Sequence, residues 1–122
     1  MFGSEFRPSP VRGAGAAAFR DAPEAQRVLA ELVTVSPEGY AACCEAVGDF
    51  DFRGDVGRIA ADTLVLVGAE DPVTTPAVLA PLDAIPGMSR VDIARAAHLA
   101  NVEQPEAFSA AMLAHLQERE AA

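Results

Sequence analysis

Asp71 stands in GAEDPVTTP, directly after the apolar run TLVLV. His98 stands in ARAAHLANVEQP, directly after a second short run, SRVDI. An acid that follows one strand and a histidine that follows the next leave a parallel sheet at the same edge, where sites in open α/β sheets gather. There a carboxylate can orient an imidazole and stabilise its charged form, which is the second half of a nucleophile–His–acid relay. Alone, Asp71 reads as a turn acid in E-D-P and His98 as a loop histidine. Their placement after consecutive strands is what turns both toward chemistry.

The elements that must position this pair can be read along the chain. In PEAQRVLAELVTV the apolar residues Val28, Leu29, Leu32 and Val33 share a helix face, with Pro23 in the first turn and Glu24 near the N-terminus. SPEGYAACCEAVGD starts a second helix, with Ser36 as N-cap, Pro37 at the first position and Gly48 as a stop; Tyr40, Cys43, Cys44 and Val47 share one face. DFDFRGDVGRIAA is a polar connection with room for a helical turn. DTLVLVG is a continuous apolar strand of the kind buried on both faces. TPAVLAPLDAIPG predicts a short helix over about 76–85, interrupted at Pro81 or starting with a loose turn, and SRVDIA a second, shorter strand. QPEAFSAAMLAHLQERE is the last helix, with Phe108, Met112 and Leu116 along one face and Ala111 and His115 beside it. The fold class is α/β: a right-handed βαβ unit with two parallel strands, flanked by helices. Two strands make a poor sheet, so the edge of TLVLV is expected to be covered by another copy or a partner chain.

The bulk composition narrows the function. The 122 residues suit one small domain, and a hydrophobic fraction of 51% is ample for a core. A formal net charge of −9 would repel nucleic acid and anionic membranes, so neither is expected as a partner. No apolar run reaches the roughly 20 residues of a membrane span, and no signal peptide opens the chain, so a cytoplasmic location is expected. Cys43 and Cys44 are adjacent, a poor geometry for a disulfide, and no Cys/His spacing suits zinc. Residues 1–22 lack a sustained period and read as a flexible terminus, either native or carrying translated cloning sites at Gly3-Ser4 and Glu5-Phe6.

Taken together, Ser36 to Leu116 resembles the C-terminal part of an α/β-hydrolase, and more narrowly the 3-oxoadipate enol-lactonases of the β-ketoadipate pathway of aromatic breakdown. SPEGYAACCEAV resembles the end of that family's cap, TLVLVGAEDPVTTP its strand and acid loop, and AAHLANVEQPEAF its histidine loop. The resemblance implies Asp71 as triad acid, His98 as general base, no cofactor and no metal. It implies lactone or ester hydrolysis by a Ser-His-Asp triad. It also divides the chain into 1–22, a helical remnant of the cap over 23–50, and a core half over 51–122.

The departures decide what the chain can do. The superfamily carries its nucleophile in G-x-S-x-G, upstream of the acid. Neither that motif nor G-x-C-x-G is present, and none of Ser4, Ser9, Ser36, Ser89 and Ser109 lies in such a turn. The glycine-rich oxyanion segment and the central strands are also missing, and Asp62 stands where the family usually has proline. Cys43 and Cys44 sit mid-helix in alanine-rich text and read as small packing residues rather than a substitute nucleophile. Arg53, Arg58, Arg90 and Arg95 are candidate partners for an anionic lactone, though nothing in the sequence places one at the site. The chain is therefore expected to supply base and acid without the nucleophile, and to be inactive alone. The other reading is a non-catalytic oligomerising or partner-docking module. A truncated gene product is a third.

Overall fold

The structure, a computed structural model, describes residues 19–120, so most of the terminus expected to be flexible lies outside the described residues. The first helix, α1, spans Pro23–Leu32, with Pro23 at its start and Glu24 in its first turn. Ala25 is buried and Val28, Leu29 and Leu32 are half-buried, whereas Val33, just past the end, is exposed. Ser36 caps the second helix, α2 (Pro37–Asp49), by accepting the Gly39 N–H at 3.0 Å.

No residue of α2 is buried. Cys43 and Cys44 are exposed free thiols, which corrects their reading as packing residues. On the face that periodicity assigned to packing, Tyr40 is half-buried and Cys43, Cys44 and Val47 are exposed.

A single 3₁₀ turn at Val56–Arg58 leads into strand β1, Leu64–Gly68. Its parallel neighbour β2 spans Ser89–Ile93, in a register that aligns Leu64 with Ser89 and Gly68 with Ile93. The crossover begins as a short helix, α3 (Pro76–Leu79), and tightens into a 3₁₀ segment at Ala80–Ala84. Pro81 explains the change, because proline lacks the N–H that an α-helix would continue with. Leu79 and Ile85 are the buried residues of this crossover.

After β2, a four-residue helix that periodicity did not predict, α4 (Ala100–Glu103), precedes the long α5 (Pro105–Glu120). Ile93, Ala96 and Ala100 form the core, with Leu66, Phe108 and Ala111 packed against it. Helix α5 therefore turns Phe108, Ala111 and the half-buried His115 inward. Met112 and Leu116 stay exposed, contrary to the stripe expected from spacing. This helix, of mixed polarity and with several alanines, has no single dominant face, and the small Ala111 packs against the core.

Strand β1 is less buried than its text suggests. Only Val67 and Gly68 are buried, while Leu64 to Leu66 are half-exposed. Among the described residues β2 is its one neighbour, so the second strand edge carries no ladder. The chain thus has the α/β architecture of a partial sheet: two parallel strands flanked by helices. Among the described residues no helix is long and apolar enough to cross a membrane.

Candidate active site

Because β1 and β2 run parallel and in register, the loops after Gly68 and Ile93 leave from the same edge. The backbone then ties them together. The Ala69 N–H donates to the Ile93 carbonyl at 2.9 Å and the Glu70 N–H to the Ala96 carbonyl at 2.8 Å. Gly68 makes this possible. A Cβ there would lie 2.0 Å from the Ala97 carbonyl oxygen and 2.5 Å from that of Ala96. Only glycine permits two backbones to approach this closely.

Asp71 and His98 meet across these loops, with His98 Nδ1 2.9 Å from Asp71 Oδ2. The Asp71 side chain is 3% exposed and that of His98 41% exposed. The acid is thus sheltered, and the ring has a face open to a reactant.

Asp71 is held by its own turn. Its Oδ1 accepts the Val73 N–H at 2.7 Å and the Thr74 N–H at 3.2 Å, and its Oδ2 accepts the Thr74 hydroxyl. Burial would raise the carboxyl pKa. Hydrogen bonds from the Thr74 hydroxyl, from His98 and from the two backbone N–H groups outweigh it and bring the value down to about 2. Asp71 is therefore an acceptor only at neutral pH. The shared proton must sit on His98 Nδ1, which leaves Nε2 of the neutral ring with its lone pair free. That tautomer is the one a general base needs.

The sign of the pH effect follows. A carboxyl lowered from 3.8 to about 2 stabilises the fold by about 2 kcal/mol, fully present above the unfolded value and lost as pH falls through the folded one. Thr74→Val removes the hydroxyl bond that lowers it most. Its Asp71 carboxyl, followed by ¹³C NMR, is expected to titrate closer to 3.8, and stability to urea to begin falling at higher pH than in the wild type. An unchanged Asp71 titration would assign the lowering to other groups.

A cavity of about 200 Å³ opens beside the pair. Asp71, Thr74, His98 and Asn101 form its polar side, and Leu66, Val67 and Phe108 its apolar side. The cavity is small beside whole ligand pockets, which run to roughly 300–1,000 Å³. Among the described residues no serine, cysteine or arginine lines it. The arginines considered for an anionic substrate lie elsewhere. Arg53 pairs with Asp51, Arg58 with Asp55 and Arg90 with Asp92. Arg95 occupies an exposed loop position in the left-handed region, with φ of 58°.

His115 lies 3.9 Å from Asp62, which precedes β1 and so marks the opposite end of the strand from the site. Among the described residues no group of three or more His, Cys, Asp or Glu is placed to hold a metal ion.

Three residues that sequence reasoning passed over shape the site: Gly68, Thr74 and Glu103. Glu103 is buried, and its carboxylate accepts the N–H groups of Ala97 and Leu99. The signal for Gly68 was the lone glycine ending an apolar strand, which can mark close backbone approach.

No protein-family model matches the sequence. Over 95 residues the chain is 42% identical to 3-oxoadipate enol-lactonase 2 of Acinetobacter baylyi, covering 77% of this chain and 36% of that protein. Over 84 residues it is 33% identical to 3-oxoadipate enol-lactonase 1 of the same organism, covering 69% of this chain and 32% of that protein. The chain thus spans about a third of the length of these curated relatives. The solved structure of Est816, described as an N-acyl homoserine lactone degrading enzyme, superposes with a TM-score of 0.72 at 28% identity. That match covers 85% of this chain and 44% of the other. By fold the chain corresponds to part of an α/β-hydrolase, and in sequence it is similar to the 3-oxoadipate enol-lactonases.

Proposed function

We propose that this chain supplies the acid and the general base of a lactone hydrolase, and that the nucleophile and oxyanion hole come from sequence outside these 122 residues. The observation that carries the reading is the 2.9 Å contact between His98 Nδ1 and a sheltered, ionised Asp71. In the reaction, a serine hydroxyl attacks the lactone carbonyl as His98 Nε2 takes its proton. Asp71 stabilises the imidazolium. The ring C–O bond breaks, and the enolate oxygen leaves with a proton from His98. Water, activated by the same nitrogen, then cleaves the acyl-enzyme. With 3-oxoadipate enol-lactone as substrate, the released enol tautomerises to 3-oxoadipate. No cofactor or metal enters. In this reading residues 23–50 end a cap and 51–122 form the C-terminal core half.

The test is lactone hydrolysis by the chain alone, and by the chain fused to the nucleophile-bearing portion of the Acinetobacter enol-lactonase 2. The chain alone is expected to match the buffer rate, and the fusion to turn over. Turnover by the chain alone would require a different nucleophile and sink the reading. A well-folded fusion with no activity would do the same.

A second reading is favoured by the exposed apolar side chains of Met112, Leu113 and Leu116 and by the second edge of β1, which carries no ladder among the described residues. In it the chain is a module that pairs with another copy or a partner chain through that edge. The mass of the chain in solution, measured in the same preparations, separates a self-associating module from a monomer.

A further inference from the structure

Glu103 is the one buried polar or charged residue among the described residues, 7% exposed at the end of α4. Burying a carboxylate is unfavourable unless hydrogen bonds compensate it. Here its Oε2 accepts the Ala97 N–H at 3.1 Å and its Oε1 the Leu99 N–H at 3.2 Å. These two donors belong to the residues on either side of His98.

The loop that carries them turns sharply, with Arg95 at φ 58°. Neither donor lies in a strand, and a loop this close to the core needs acceptors from elsewhere. The neighbouring Gln104 adds a further tie, its Nε2 donating to the Arg95 carbonyl at 3.3 Å.

From this we infer that Glu103 is a positioning residue for His98, an assignment that rests on the reading of His98 as the general base. By gripping the peptide on each side, the carboxylate fixes the direction of the His98 Cα–Cβ bond. That direction keeps Nδ1 on Asp71 and turns Nε2 toward the cavity. The position requires two acceptor oxygens at a fixed separation. A glutamine offers one, and sets its NH₂ donor group against the second backbone N–H. An aspartate has both but falls one methylene short. Glutamate alone combines the two requirements.

The test is NMR on the full 122-residue chain, reading the ring ¹⁵N shifts of His98 and amide exchange at Ala97 and Leu99. Glu103→Gln is expected to quicken exchange at one or both amides by about 10-fold or more, the effect of losing a charge-assisted hydrogen bond. The ring should shift from the Nδ1–H tautomer toward a mixture, while Leu66 and Val67 keep their protection. Glu103→Asp should behave in the same direction although the charge is retained, which identifies reach and not charge as the cause. Unchanged exchange and tautomer in Glu103→Gln would overturn the assignment. Loss of protection across β1 and β2 in both variants would overturn it too, because the residue would then hold up the fold in general. Asp71→Asn separates this inference from the one it rests on. If His98 keeps its tautomer without Asp71, the relay fails, and exchange at Ala97 and Leu99 still tests the grip of Glu103.

Discussion

In a lactonase completed by a nucleophile-bearing half, His98→Ala is expected to lower kcat by about 10⁶-fold and Asp71→Asn by about 10⁴-fold, with KM little changed. The two values differ for a physical reason. Without His98 nothing accepts the nucleophile's proton, and only the oxyanion hole and substrate binding remain. Without the Asp71 carboxylate the base is still present, but an amide can donate to Nδ1 and hold the ring in the wrong tautomer. Asp71 now accepts four bonds, from His98, the Thr74 hydroxyl and the N–H groups of Val73 and Thr74. An asparagine oxygen can keep only part of that set, so its NH₂ group is driven toward one of the former donors. Steady-state consumption of the enol-lactone by both variants checks the claim. A His98→Ala enzyme within tenfold of the wild type would remove His98 from the mechanism.

The second large effect is expected at a residue with no chemistry of its own. Gly68→Ala should destabilise the fold by roughly 3 kcal/mol, the upper part of the range for overpacking in a core. In the completed enzyme it should also lower kcat by about 10²-fold at temperatures where the protein is still folded. The added Cβ would sit 2.0 Å from the Ala97 carbonyl oxygen and 2.7 Å from the Ala96 carbonyl carbon. These are backbone atoms and cannot rotate away as a side-chain tip would. They are also tethered, since the Ala96 carbonyl accepts the Glu70 N–H at 2.8 Å. Relief must come from lifting the histidine loop off β1. That movement carries His98 away from Asp71 and loosens the contacts of the loop with Glu103. Urea unfolding measures the first effect and single-turnover kinetics the second. A variant with wild-type stability and rate would mean that the two loops can separate at no cost, contrary to their close contact.

The similarity to lactonases and the absence of a nucleophile motif bear on different parts of the molecule. The relatives match this chain over about a third of their own length, and the structural neighbour over 44% of its own. This chain holds two strands, the crossover between them and the loops that follow each. That is sufficient for an acid and a base to meet. It does not place a serine beside them among the described residues, where no serine lines the cavity.

Local signals in the sequence determined a good deal. Ser36 and Pro37 start a helix because a hydroxyl can accept an early helical N–H and a proline needs none. Pro81 narrows the crossover to a 3₁₀ segment for the same backbone reason. The apolar runs before Asp71 and His98 are strands, and consecutive parallel strands put their following loops at one edge. All of this depends on neighbours a few residues away, which a linear text contains.

The tertiary structure decided the rest. Which face of α5 turns inward, Phe108 and Ala111 with His115 rather than Met112 and Leu116, depends on what the helix meets, and alanine-rich periodicity does not encode the partner. Gly68 beneath the Ala97 carbonyl, Thr74 on Asp71 and Glu103 on the peptides around His98 are contacts made only when the loops fold together. The sequence by itself therefore singled out Asp71 and His98 as a pair. The packing of one loop on another holds them 2.9 Å apart, because close backbone approach and paired hydrogen bonds are properties of two segments at once.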